Sequence, residues 1–530
     1  MMFGRLLKSG HLRSSTFHVR PLSTSDHNFN FSSLRKFKAP LQVPKRGVDI
    51  LHDPLFNKGT AFKPGERDRL RFRGLLPPRR LTMEMQGERV MQEIKKCSSA
   101  IEQNKKIEDL HDRNETLYHR LLVDNIKFLA PIIYTPTGIP IGKLSLYCAA
   151  GGIAPHRVLP VTIDVGTDNK ELLDDPFYLG LKEPRLKGKD YFCVVDEFMQ
   201  AVKHRWPNCL VQFEDFNSSV AQPLLNNYRD THLCFNDDIQ GTGATTLAGC
   251  LGALRAAGKS VDSLGDQRIM IAGAGSAGIG VAQVLRQAMV EQGVEEGKAK
   301  DCFFIADEHG LLTEDREDLN DEQRAFARKE GRGMSLQDIA EEHSPTILLG
   351  LTAFGGLFKE ELIRTMASKT SRPIIFPLSN PTTAAECTAS QAYSWTDGRC
   401  VFASGSPFDP VTHSGRTYTP TQCNNMFVFP GIGLGATVCG AKSVTDRMLY
   451  VSARALAEYL TEEELEEGKV FPQVEEIRNV SHKVACAVIR EAWDTGNQSK
   501  LGEKEMGDLE NFVWSKMYDP QYVPIVEKPA

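Results

Sequence analysis

Arg268-Ile-Met-Ile-Ala-Gly-Ala-Gly-Ser-Ala-Gly-Ile-Gly280 decides the fold of this chain. Ile269 to Ala272 reads as a short buried strand. Gly273, Gly275 and Gly278 follow in G-x-G-x-x-G spacing, and Gly280 comes just after. Such a turn lets the chain bend tightly, lets backbone approach a pyrophosphate and lets the following helix pack closely on its strand. Val281 to Met289 continues as a helix former, and the first free N–H groups of that helix would hold the anion. The next strand, Cys302 to Ala306, ends at Asp307, an acid placed to bind the adenosine ribose hydroxyls. The long gap before it is taken up by a surface extension at Glu291 to Lys300. Thr346 to Gly350, Pro373 to Leu378 and Cys400 to Ala403 supply further apolar strands, as expected of a parallel sheet buried on both faces.

At 530 residues, 41% apolar and 25% charged, the chain is long for a single core and has the composition of a multidomain globular protein. Its net charge of −5 reflects bases matched by acids, which argues against a nucleic-acid footprint. No apolar run reaches membrane-spanning length. The 12 cysteines include no C-x-x-C pair and point to free thiols in a reducing compartment. Met1 to Ser25 carries Arg5, Lys8, Arg13 and Arg20, several hydroxyl residues and no acid. That is the composition of a mitochondrial transit peptide, which places the mature protein in the matrix.

Between the two ends the chain reads as an α/β protein. A parallel-sheet substrate domain precedes the Rossmann-like NAD(P)-binding domain, with helical regions at both termini. The expected divisions are 1–25 transit peptide, 26–59 extension, 60–129 helical domain, 130–262 substrate and metal domain, 263–423 dinucleotide domain, and 424–530 return segment with carboxyl-terminal helices. Thr82 to Ile107 and Ile107 to Leu129 read as two long helices. Ala130 to Tyr134 and Val158 to Ile163 read as short strands, and Leu144 to Ala150 as a helix.

Two acidic pairs follow on strand ends. Cys209 to Phe213 leads into Glu214-Asp215, and Thr231 to Phe235 leads into Asn236-Asp237-Asp238, with a helix at Ser219 to Tyr228 between them. Strand, helix, strand puts both pairs at one end of a parallel sheet, where ligands bind. Four carboxylates there repel one another unless a cation or a base sits among them, and carboxylate oxygens suit a hard divalent ion. The competing reading is that Asp237 or Asp238 caps the helix opened by Gln240-Gly-Thr-Gly.

With these features placed, the chain resembles the malic enzymes. The resemblance is carried by Gly74-Leu-Leu-Pro-Pro78, Ile133-Tyr-Thr-Pro-Thr137, Ile139-Pro-Ile-Gly-Lys143, Ile163-Asp-Val-Gly-Thr-Asp-Asn169, Gln212-Phe-Glu-Asp215 and Phe235-Asn-Asp-Asp-Ile-Gln-Gly-Thr242. It continues in Leu378-Ser-Asn-Pro381, Ala403-Ser-Gly-Ser-Pro-Phe408 and Asn424-Asn425. It implies oxidation of malate with NAD or NADP, then decarboxylation to pyruvate. Glu214, Asp215 and Asp238 would hold Mg²⁺ or Mn²⁺, and Lys143 would take the malate hydroxyl proton. Tyr134 would protonate the enolate carbon, and Asp237 would orient and tune Lys143. Asn380 and Asn425 would contact substrate and the nicotinamide end of the cofactor. A homodimer or homotetramer is implied. Asp307 favours NAD over NADP, whereas nearby Arg316 is a cation that could meet a 2′-phosphate.

The chain departs from the family between Gly138 and Ile139. Relatives carry a long stretch there, with a Gly-Glu-Arg-Ile-Leu-Gly-Leu-Gly segment whose arginine binds the malate carboxylate and whose strand belongs to the substrate sheet. Arg157 and Arg185 are the nearest replacement cations. The alternatives are therefore a weakly active or inactive cofactor-binding member of the family, or an enzyme that only decarboxylates oxaloacetate.

Overall fold

The computed structural model describes residues 40–133 and 139–528. The expected transit peptide, Tyr134 and Gly138 lie outside the described residues. In chain order the strands are β1 (Leu41–Val43), β2 (Val211–Phe213), β3 (Cys234–Asn236), β4 (Ile269–Ala272), β5 (Phe303–Asp307), β6 (Gly310–Leu311) and β7 (Ile347–Gly350). They continue with β8 (Ile374–Pro377), β9 (Val401–Ser404), β10 (Val411–His413), β11 (Arg416–Tyr418), β12 (Thr421–Gln422) and β13 (Ile525–Glu527).

The largest sheet runs in the order β12-β9-β8-β7-β4-β5-β6 and is parallel except where β6 turns back on β5. The chain order reverses at β4, which has β5 on one side and β7 on the other. Dinucleotides bind in the crevice beyond such a reversal. Successive residues of β4 point to opposite faces, as the pleat requires. Ile269 and Ile271 join the main core with Leu247 and Leu285, while Met270 packs with Phe304, Leu348 and Ile375 on the other face. The helix after β4 spans Ser276–Glu291, and the expected surface extension contains a short helix, Glu296–Asp301.

β2 and β3 form a separate parallel pair, with Phe213 opposite Asn236 and helix Ser218–Tyr228 between them in sequence. Both acidic pairs therefore leave the same end, as expected. Among the described residues β2 has no neighbour on its outer side.

Three expectations need correction. Ala130 to Ile133 is helical, within Ile126–Ile133. Its apolar run is too short to distinguish strand from helix, and packing decides: Leu129, Ile132 and Ile133 are buried, and Asn104 Nδ2 donates to the Ile132 carbonyl at 2.9 Å. Val158 to Ile163 is not a strand. Among the described residues no strand pairs with it, and Leu159 is 68% exposed. The two long amino-terminal helices are broken into Met83–Lys95, Ala100–His111 and Glu115–Asp124, because Ser99 and Asn114 each cap a new start through a side-chain oxygen. No helix among the described residues is long and apolar enough to cross a membrane.

Candidate active site

The glycine turn has the shape that its spacing predicts. Gly273 sits at φ +109°, and a Cβ there would lie 2.4 Å from the Leu351 carbonyl oxygen. A Cβ on Gly278 would meet the Gly273 carbonyl oxygen at 1.9 Å, so this glycine lets helix and strand touch. Nothing lies within 4 Å of a Cβ on Gly275, which leaves that backbone open to a ligand. Gly280 faces Ile239, whose Cγ2 would be 3.3 Å from an added Cβ. The dinucleotide helix thus rests directly on the segment that carries Asp237 and Asp238.

That segment leaves β3 through a wide π-helical turn, Asp237–Gly241, before continuing as helix Thr242–Ala256. Asn236 supplies the cap: its Oδ1 accepts from Ile239 N–H at 3.0 Å. Capping therefore does not account for the acids. Asp237 is fully buried and forms an ion pair with Lys143, which reaches it from helix Ile139–Ala149. Lys143 Nζ is also 3.2 Å from Glu214, and it sits 4.3 Å from the centre of the Phe429 ring. Asn425 Nδ2 donates to Asp237 Oδ2 at 2.6 Å.

Glu214, Asp215 and Asp238 each offer a carboxylate oxygen, and these atoms lie within 4.8 Å of one another. Asp215 sits at φ +59°, and its N–H donates to Asp238 Oδ2 at 2.8 Å. A left-handed aspartate is uncommon, and here it turns the second acid of the pair back towards β3. Burial pushes the Glu214 carboxyl up to about 8, and Asp237 and Asp238 reinforce the shift while Lys143 opposes it. Asp237 is raised as well, chiefly by burial, against the opposing pull of Lys143. Crowded acids held above their ordinary range are what a divalent cation would relieve. An all-oxygen donor set suits Mg²⁺ or Mn²⁺.

Gln212 and Tyr147 were not singled out by sequence. Gln212 Nε2 donates to Glu214 Oε2 at 2.7 Å and its Oε1 accepts from Tyr147, which sets the orientation of Glu214. Alternation along β2 is the only signal that puts Gln212 on the side of Glu214.

Asn380 follows β8, and its Oδ1 accepts from Ser406 Oγ at 2.6 Å. Asp307, at the end of β5, accepts from Arg316 at 2.9 and 2.6 Å. The same guanidinium holds Asp318 at 3.1 and 2.6 Å, so its fork is engaged by two carboxylates. Arg157 and Arg185 are exposed, and both line a cleft of about 2710 Å³ that also reaches Lys143, Glu214 and Asp215.

Two family descriptions match the chain: "Malic enzyme, N-terminal domain" over residues 137–229 and "Malic enzyme, NAD binding domain" over residues 239–493. The mitochondrial NAD-dependent malic enzyme of Solanum tuberosum is 41% identical, over 96% of this chain and 95% of its own length. The NADP-dependent malic enzyme of Dictyostelium discoideum is 39% identical, over 89% and 98%. Among solved structures, Entamoeba histolytica malic enzyme superposes with a TM-score of 0.54 at 25% identity, over 71% of this chain and 69% of that one. The alignment with the Solanum protein spans 603 positions, more than the 530 residues present here, so the relative has at least 73 residues without a counterpart. With identity of this level across nearly the whole length, the chain belongs to the malic enzyme family.

Proposed function

We propose that this chain oxidises malate at C2, passing hydride to NAD or NADP, and releases CO₂ to leave pyruvate. The observation that carries this reading is the meeting of Lys143, Glu214 and Asp237 on the segment against which the dinucleotide helix packs. A divalent ion held by Glu214, Asp215 and Asp238 would supply positive charge where oxygen gains negative charge in both steps. Lys143 acts from its neutral amine form: Nζ takes the hydroxyl proton as hydride leaves C2 and becomes an ammonium, because the alcohol cannot become a ketone while that proton stays. Asp237, itself held by Asn425 Nδ2, accepts from the ammonium so formed, and Tyr134 delivers a proton to the carbon that CO₂ vacates. Asn380 and the glycine loop orient the nicotinamide against C2, so that alignment is the protein's main contribution to the hydride step.

NAD is the preferred cofactor in this reading, supported by the engagement of Arg316 with Asp307 and Asp318. Mg²⁺ or Mn²⁺ is the metal and the assembly is a homodimer or homotetramer. The location is the mitochondrial matrix, supported by the acid-free Met1 to Ser25 and by the mitochondrial relative. The divisions at 60–129, 130–262, 263–423 and 424–530 belong to the same proposal.

One observation favours weakened turnover. Beside β2 the chain leaves a broad cleft, and Leu159, Val161 and Trp206 in its lining are exposed. An open strand edge and bare apolar side chains are what a missing buried strand leaves behind. In that case decarboxylation of added oxaloacetate, which needs the metal but not hydride transfer, outlasts malate oxidation. The deciding assay follows reduced cofactor and pyruvate from malate with Mn²⁺, and pyruvate from oxaloacetate without cofactor. Metal-dependent formation of both products from malate supports the proposal, and no product from either substrate defeats it.

A further inference from the structure

Glu386 has no exposed surface and plays no part in the steps above. Its Oε1 accepts from Thr352 N–H at 3.0 Å, from Thr352 Oγ1 at 2.9 Å and from Ser379 Oγ at 2.5 Å. Ser379 N–H reaches Oε2 at 3.4 Å. Ser379 Oγ in turn accepts from the N–H groups of Thr352 and Ala353, at 3.1 and 2.8 Å. Ala353 is held at φ +56°, a left-handed conformation that a residue with a Cβ rarely adopts without such support. Gly350 makes room for the acid, since a Cβ there would lie 2.4 Å from the Glu386 carboxyl carbon.

These bonds tie the exit of β7 to the exit of β8. Both exits open on the crevice beside β4, on the side of the glycine turn opposite Asp307 and β5. Asp307 marks the adenosine half of the site, so the β7 and β8 exits border the other half. A neutral side chain would fill this space at lower desolvation cost than a carboxylate, unless the strong acceptor is needed to hold the two loops together.

We propose that Glu386 is a positioning residue for the cofactor. It locks the Thr352–Ala353 turn and Ser379–Asn380 into the shape that receives the nicotinamide half of the dinucleotide. This rests on the NAD(P) reading above. The test is calorimetric binding of NAD and of AMP, which carries only the adenosine half, to the full chain and its variants. E386A weakens NAD binding about tenfold to a hundredfold, the range for a buried network left unsatisfied, while AMP binding is unchanged. E386Q loses less than E386A, because an amide oxygen in place of Oε1 keeps the three short bonds and only the long one from Ser379 N–H is lost. S379A, which leaves the acid in place but removes the acceptor for Ala353 N–H and the link from Glu386 to that turn, weakens NAD and spares AMP, and it carries the test if E386A does not fold. Equal loss of NAD and AMP in S379A or a folded E386A, or unchanged NAD binding in either, overturns the role. A parent chain that binds neither ligand fails at the earlier step, and both readings fall.

Discussion

Lys143 and Asp237, 94 residues apart in the chain, form a buried ion pair whose ammonium also lies 3.2 Å from Glu214. Replacing Lys143 with methionine leaves buried Asp237 and half-buried Glu214 without their cation. Breaking a buried pair from one side costs about 3–5 kcal/mol, so K143M should lower the denaturation midpoint as well as stop malate turnover. Added Mn²⁺ should restore part of the stability through Glu214 and none of the turnover. Turnover within threefold of the parent would remove Lys143 from the mechanism by the size of effect expected of a proton-transfer group, about 10² or more.

Asp238 is an acid that the proposal assigns to the metal and not to proton transfer. D238N should weaken Mn²⁺ binding, read by electron paramagnetic resonance, by about tenfold or more while NAD binding holds. Q212A should do the same to a smaller degree, because Glu214 loses the amide that aims it. Full Mn²⁺ affinity in D238N would place the ion elsewhere.

Asp307 accepts two hydrogen bonds from Arg316, and in the proposal this pairing keeps the guanidinium from a 2′-phosphate. D307N should release one side of the guanidinium fork and shift the ratio of kcat/KM for NAD to that for NADP towards NADP. The expected change is about tenfold, a typical worth of one charged contact. An unchanged ratio would show that the pair is structural.

His119 is a buried ring with neither nitrogen hydrogen-bonded, packed edge-on against Tyr118 and Tyr518. Burial lowers it from 6.5 to about 3, with a smaller push from His111. Because the folded value is below the unfolded one, the unfolded chain takes up the extra proton. The stability from neutral His119 is complete above about pH 6.5 and is lost as pH falls towards 3, amounting to about 2 kcal/mol by pH 5. Urea unfolding at pH 7 and pH 5 should show this loss, and H119F should lack that part of it. A parent and variant with the same pH dependence would refute the assignment.

Inserting the relatives' segment between Gly138 and Ile139 should close the cleft beside β2. The expected results are a higher melting temperature, less binding of a hydrophobic dye in the cleft lined by Leu159, Val161 and Trp206, and faster malate oxidation. Equal turnover with and without the insert would show that the site is complete as it stands, with Arg157 or Arg185 serving the substrate carboxylate.

The dinucleotide half was legible in the sequence because its constraints are local. Gly273 must adopt positive φ, Gly278 must admit the helix to its strand, and the apolar runs of β4, β7, β8 and β9 alternate between two covered faces. The two acidic pairs were legible for a similar reason, since strand, helix, strand brings both to one end. Ala130 to Ile133 and Val158 to Ile163 are not strands because short apolar runs take their conformation from neighbours: helices surround the first, and among the described residues no strand pairs with the second. The sequence by itself determined the glycine turn, the carboxylate set and the family. Only the tertiary structure decided that Asn236 rather than Asp237 caps the turn, that Gln212 aims Glu214, and that Glu386 joins two strand exits. Each of those depends on which buried donor lies within about 3 Å of which acceptor, a relation between distant residues that no local pattern encodes.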